Sequence, residues 1–134
     1  MTRAAGWEAR LSDCVEASRA APFVWGWRDC ATWAFDIRRA LTGDDAAAAW
    51  RGRYSTPLGA ARMLRRLGVT SVEGLARAIM GAPLDAPELA QRGDLMLAGD
   101  DDALGVCIGP VGLFLAPQGM TPRPLSSCRM AWRV

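Results

Sequence analysis

The sequence predicts an α+β domain, with helices in its first part and an antiparallel sheet in its last. Three observations carry this. Apolar residues recur at helical spacing up to about residue 81. After Gly93-Asp94 they gather instead into short runs separated by Gly, Pro and Asp. With 51% hydrophobic residues among 134, the chain can close one core without metals or disulfides. We therefore expect a single domain over 1–134, helical over about 1–81 and sheet over about 94–134, as N-terminal helices packed on a C-terminal antiparallel meander.

In order along the chain, Trp7, Leu11, Cys14, Val15 and Ser18 make the stripe of a first helix that Pro22 closes. Asp29 is a suitable N-cap for a second helix. That helix buries Cys30, Trp33, Ala34, Ile37 and Leu41, and Gly43 ends it. Asp44-Asp45 caps a short helical piece through Trp50, and residues 51–55 read as loop. Thr56-Pro57 opens a third helix with Leu58, Ala61, Leu64 and Leu67 inward, stopped by Gly68. Thr70-Ser71-Val72-Glu73 fits a capping box for a fourth helix running to Gly81. Residues 82–91 hold two prolines and read as loop. Strands are expected at 95–98, 104–108, 111–115 and 128–134, with turns at 99–102, 109–110 and 117–119.

Composition narrows the function. A net charge of +2, without a dense Lys/Arg block, argues against nucleic acid as a partner. No apolar run approaches the roughly 18 residues of a membrane span, so no direct membrane insertion is expected. The first residues do not look like a secretory signal, so synthesis in a reducing cytoplasm is expected. Cys14, Cys30, Cys107 and Cys128 are spread singly, without a Cys-x-x-Cys pair. No cofactor is expected.

Cys30 is the position with chemical potential. A cysteine in the first turn of a helix meets unpaired N–H groups and the positive end of the helix dipole, which favour the thiolate. The same donors can hold an oxyanion. Trp25 and Trp27 would wall a cleft beside it, and with Trp50 they are hard to bury together, which makes the three candidates for a binding surface. Against this, a cysteine on an apolar helix face is commonly core.

The residues Trp25-Gly26-Trp27-Arg28-Asp29-Cys30-Ala31 resemble the nucleophile motif of the NlpC/P60 peptidases, G-x-D-C followed by Ser or Ala, with one extra residue between glycine and aspartate. Residues 92–97, Arg-Gly-Asp-Leu-Met-Leu, are similar to their second motif, a strand-opening G-D-L. Residues 103–109 are similar to their third, H-V-G-I-Y-x-G. The resemblance implies a papain-like fold with Cys30 as nucleophile, Asp29 as helix cap and Ala103 at the position of the histidine base. The 134 residues contain no histidine. A papain-type cysteine needs a base and an acid, so the resemblance also implies a degenerate site.

More closely, the whole chain resembles a family of small phage and prophage proteins encoded among tail-tip genes. The resemblance rests on PF-x-WG-x-x-DC (22–30), TG-x-D with RG-x-Y (42–54), the Gly93-Asp94 strand and PL-x-x-C-x-x-AW-R-V (124–134). It implies a structural component of a bacteriophage tail tip or tail assembly, located in the virion, with phage tail hub and distal tail proteins as partners. The alternative is a cysteine peptidase or amidase, acting on peptidoglycan or in tail maturation, with Cys30 as nucleophile.

Other groups read more plainly. Cys107 would face the Cys30 helix if the motifs align. Cys30, Cys107 and Cys128 could then hold a metal, or Cys30 and Cys107 a disulfide, although core is the simpler reading. Arg92-Gly93-Asp94 is explained by its strand-opening place and Asp100-Asp101-Asp102 by a solvated turn. Arg38-Arg39 and Arg62, Arg65 and Arg66 read as exposed helix faces or contacts to neighbours.

Overall fold

A computed structural model describes residues 2–134. It has four α-helices, α1 (Trp7–Arg19), α2 (Cys30–Thr42), α3 (Pro57–Arg66) and α4 (Val72–Met80), followed by five strands. These are β1 (Leu95–Ala98), β2 (Leu104–Cys107), β3 (Val111–Ala116), β4 (Gly119–Pro124) and β5 (Cys128–Trp132). All pairings in the sheet are antiparallel, in the order β4-β3-β2-β1-β5. The α+β class is as the sequence predicts. The sheet is not a simple meander, because β5 passes β4 and returns to the far edge beside β1.

β4 is the strand that the sequence reading lacks. Pro122 and Pro124 have no N–H to give, which disfavours a strand reading. They are tolerated because β4 is an edge, with β3 as its single neighbour.

α2 is the centre of the molecule. Asp29 Oδ1 accepts from the Thr32 N–H at 2.9 Å, and Gly43 closes the helix at φ 83°. Eight of its residues are buried, including Thr32, Phe35 and Arg38 beside the expected apolar ones. α2 has helices on one side and the β1–β3 face on the other, so its inner surface is wider than one stripe. Arg38 is consequently not on an exposed face; its guanidinium reaches Asp44 at 2.7 Å.

Three helix details differ from expectation. α3 buries Met63, with Leu64 and Leu67 half-buried, while Leu58 is 61% exposed. The stripe through Ala60, Met63, Leu64 and Leu67 has the same period as the predicted one but is rotated around the helix. α4 is capped by Ser71, whose Oγ accepts from the Gly74 N–H, so Glu73 lies one place short of a capping box. Glu73 pairs instead with Arg77 and Arg129. The piece before Trp50 is a 3₁₀ turn, Ala46–Ala49, without a side-chain cap; Asp45 is engaged by Arg51.

The sheet divides the core. Leu95, Leu97, Leu104, Val106, Leu113 and Leu115 face α2 in the main cluster. Met96, Ala98, Cys107, Phe114, Cys128 and Ala131 form a smaller cluster on the other face. This follows from the period of two along each strand. No helix among the described residues is long and apolar enough to cross a membrane.

Candidate functional site

The segment before α2 turns sharply. Val24 and Arg28 pair across it, and Gly26 sits at φ 85°. Its end is held by Asp29, which is 3% exposed and accepts three hydrogen bonds. These come from the Gly26 N–H at 3.0 Å, the Thr32 N–H at 2.9 Å and the Tyr54 hydroxyl. Burial and the neighbouring Asp29 carboxylate push the Tyr54 phenol well above its ordinary pKa, so it stays a donor.

The 42–54 block docks on the same turn. The Gly52 N–H donates to the Gly26 carbonyl at 2.9 Å. A Cβ at Gly26 would lie 2.0 Å from the Tyr54 carbonyl oxygen, so only glycine fits there. Arg51 bridges Asp36 on α2 and Asp45. The PF-x-WG-x-x-DC and RG-x-Y blocks are thus the two halves of one packed joint around Asp29.

Cys30 follows Asp29 at the first position of α2, where its sulfur points towards the start of β2. The backbone N–H groups of Leu104 and Ala31 are directed at it. The sequence expectation of a favoured thiolate is reversed. Burial pushes the thiol up to about 11, the Asp29 and Asp102 carboxylates add to that, and the two N–H groups only partly offset it. The helix start supplies donors, but desolvation and two like charges outweigh them.

The space beside Cys30 is small and apolar. Trp25, Cys30, Trp50, Tyr54, Met63, Leu64, Leu67, Val72 and Leu75 are among its walls, and its free volume is about 50 Å³, room for a few water molecules.

The tryptophans predicted as a binding surface separate. Trp50 is core, 3% exposed, with its Nε1–H donating to Thr32 Oγ1 at 3.0 Å. Trp25 is half-buried, edge-on to Phe23. Trp27 alone stands out, 59% exposed, its ring lying over Gly52. A reading by residue type could not find that Thr32 would satisfy the Trp50 indole.

Ala103 directly precedes Leu104 at the start of β2, but its methyl packs with the cluster on the sheet face away from α2. Cys107 and Cys128 are in that same cluster, which corrects the placement of Cys107 opposite Cys30. Alternation along β2 sends Leu104 and Val106 to α2 and Cys107 away from it. The sheet therefore divides the Cys30, Cys107 and Cys128 trio and the Cys30–Cys107 pair. All four cysteines are free thiols. Among the described residues, no group of three or more His, Cys, Asp or Glu is placed to hold a metal ion.

Two acidic groups have positions that the sequence reading missed. Asp94 is fully buried and accepts from the Gln91 N–H, Arg3 Nη2 and the Val134 N–H at 2.9–3.0 Å, with Arg133 at 3.2 Å. Asp102 accepts from the Val72 and Glu73 N–H groups at the start of α4. Over residues 2–134 the chain matches the family described as a domain of unknown function, DUF6950. The chain belongs to that family. Comparison with curated proteins finds no match.

Proposed function

We propose that this DUF6950 chain is a non-catalytic, papain-like NlpC/P60 scaffold serving as a structural component of a bacteriophage tail tip or tail assembly. One observation carries the non-catalytic part: the charged groups that act on the Cys30 thiol are the Asp29 and Asp102 carboxylates, both of which disfavour its thiolate, in a sequence without histidine. Carboxylates, with pKa values of about 4 as a class, are poor bases for a thiol at about 11. The motif residues around the thiol serve packing instead. Asp29, Gly26, Gly52 and Tyr54 are all spent on one joint.

The tail-tip location and the hub and distal tail partners rest on resemblance of the sequence blocks at 22–30, 42–54 and 124–134. Phage carrying Cys30→Ala tests the reading. Normal assembly and infection with Cys30→Ala, against failure when the gene is deleted, is the expected result. Loss of infection with Cys30→Ala, while the protein remains folded and incorporated, would restore the cysteine hydrolase alternative. Mass spectrometry of purified particles tests the location; a chain absent from particles and assembly intermediates would end the tail reading.

A further inference from the structure

Charge is unevenly placed along this chain. From Ala46 to Val72 there is no acidic residue, but there are five arginines: Arg51, Arg53, Arg62, Arg65 and Arg66. Arg51 is spent internally on Asp36 and Asp45. Arg53, Arg62, Arg65 and Arg66 are all exposed, and their side chains make no hydrogen bond or ion pair within the described residues. Elsewhere, eight other arginines meet a carboxylate, so the solvent-facing positive charge left over is concentrated here.

Part of this has a local cause. Arg65 and Arg66 lie in the last turn of α3, where cations suit the helix dipole. Arg53 and Arg62 have no such cause, and like charges at Arg62 and Arg66, four apart on one helix, repel. Arg53, Arg62 and Arg66 line one open groove with Ser55 and Thr56, and no acidic residue is in its wall. Two large exposed apolar side chains neighbour its arginines. Leu58 is 61% exposed in the first turn of α3, four residues before Arg62, and Trp27 is 59% exposed over Gly52, next to Arg53.

We propose that this face, Arg53, Arg62, Arg65 and Arg66 with Trp27 and Leu58, docks an acidic segment of another protein. Charge complementarity sets the sign of the partner. The exposed tryptophan and leucine beside arginines favour protein over nucleic acid, because Trp and Arg are the side chains that anchor protein interfaces. The inference deepens the structural reading above, naming the surface and the chemistry of a partner, but it does not depend on the tail.

The test uses the purified chain, ¹⁵N-labelled, titrated with a synthetic Glu-rich peptide containing one leucine, and separately with single-stranded oligothymidylate. Expected are amide shifts confined to Trp27 and residues 53–66, binding that weakens as salt rises, and a loss of about tenfold or more in Arg62→Glu/Arg66→Glu. The neutral Arg62→Gln/Arg66→Gln variant should lose less, and Arg10→Glu on α1 nothing. No shifts, or shifts elsewhere, would overturn the proposal. So would tighter binding of oligothymidylate at this face, which would make it a nucleic-acid site. Concentration-dependent self-association abolished by Arg62→Glu would also overturn it, by identifying a second copy as the occupant. A negative titration leaves the location in particles untouched, and a chain absent from particles leaves the titration untouched, so the two readings fail separately.

Discussion

Asp29 shows how one residue can look catalytic in sequence and be structural in space. It carries a helix cap, the Gly26 turn and the Tyr54 hydroxyl on two oxygens. Tyr54→Phe removes a donor from a buried carboxylate and should cost about 1–3 kcal/mol in urea unfolding. Asp29→Ala removes the cap as well and should cost more. Cys30 yields a chemical prediction. A thiol at about 11, against 9.0 for an ordinary cysteine, carries about 100-fold less thiolate at neutral pH. Alkylation of Cys30 in the folded chain should therefore be slower than in the urea-unfolded chain by about that factor or more; rapid labelling in mildly acidic buffer would contradict the buried thiol. The sign of the pH effect follows. The folded state keeps the Cys30 proton where the unfolded chain has lost it, so this contribution to stability is full below pH 9.0 and is lost as pH rises towards 11. Cys30→Ala should remove that alkaline slope in unfolding measurements.

Elements were legible where a local device marks them and obscure where only neighbours decide. Asp29 and Gly43 mark both ends of α2, and both act as the sequence suggests. The inward face of α3 was not legible. Two stripes share a helical period there, and packing chose the one through Met63 over the one through Leu58. β4 was hidden by its prolines, which an edge position makes harmless. The loop joint gives a sharp comparison. Gly43 and Gly26 both have positive φ, but a Cβ at Gly43 meets nothing within 4 Å, whereas at Gly26 it meets the Tyr54 carbonyl at 2.0 Å. Gly43→Ala should cost about 1–2 kcal/mol, and Gly26→Ala distinctly more, with a rise in the Cys30 labelling rate as the joint opens.

At the scale of the molecule, Asp94 ties the N-terminal arm to the end of β5. Arg3 bonds Asp94, the Arg92 carbonyl and the Val134 carbonyl, and the Val134 N–H returns to Asp94. Asp94→Ala takes the common acceptor from Arg3, Arg133 and the Gln91 and Val134 N–H groups at once, so it should cost about 3–5 kcal/mol. Arg3→Ala should cost less, because Arg133 and the Gln91 and Val134 N–H groups remain on the buried Asp94 carboxylate. Thermal melts of the two variants and their double mutant would measure the coupling; additive losses would show that the tie is not one unit.

By itself the sequence determined the α+β class, the ends of α2 and the places of most strands, because caps, turns and hydrophobic period are local. It also determined the absence of histidine beside a cysteine at a helix start. Only the tertiary structure decided what that cysteine meets. Alternation along β2 turned Cys107 to the far face, and packing around the start of α2 took the Cys30 sulfur out of water within reach of the Asp29 and Asp102 charges. A thiolate is favoured by donors in its own helix but opposed by burial and by charges from other elements, and those arrive only when the chain folds.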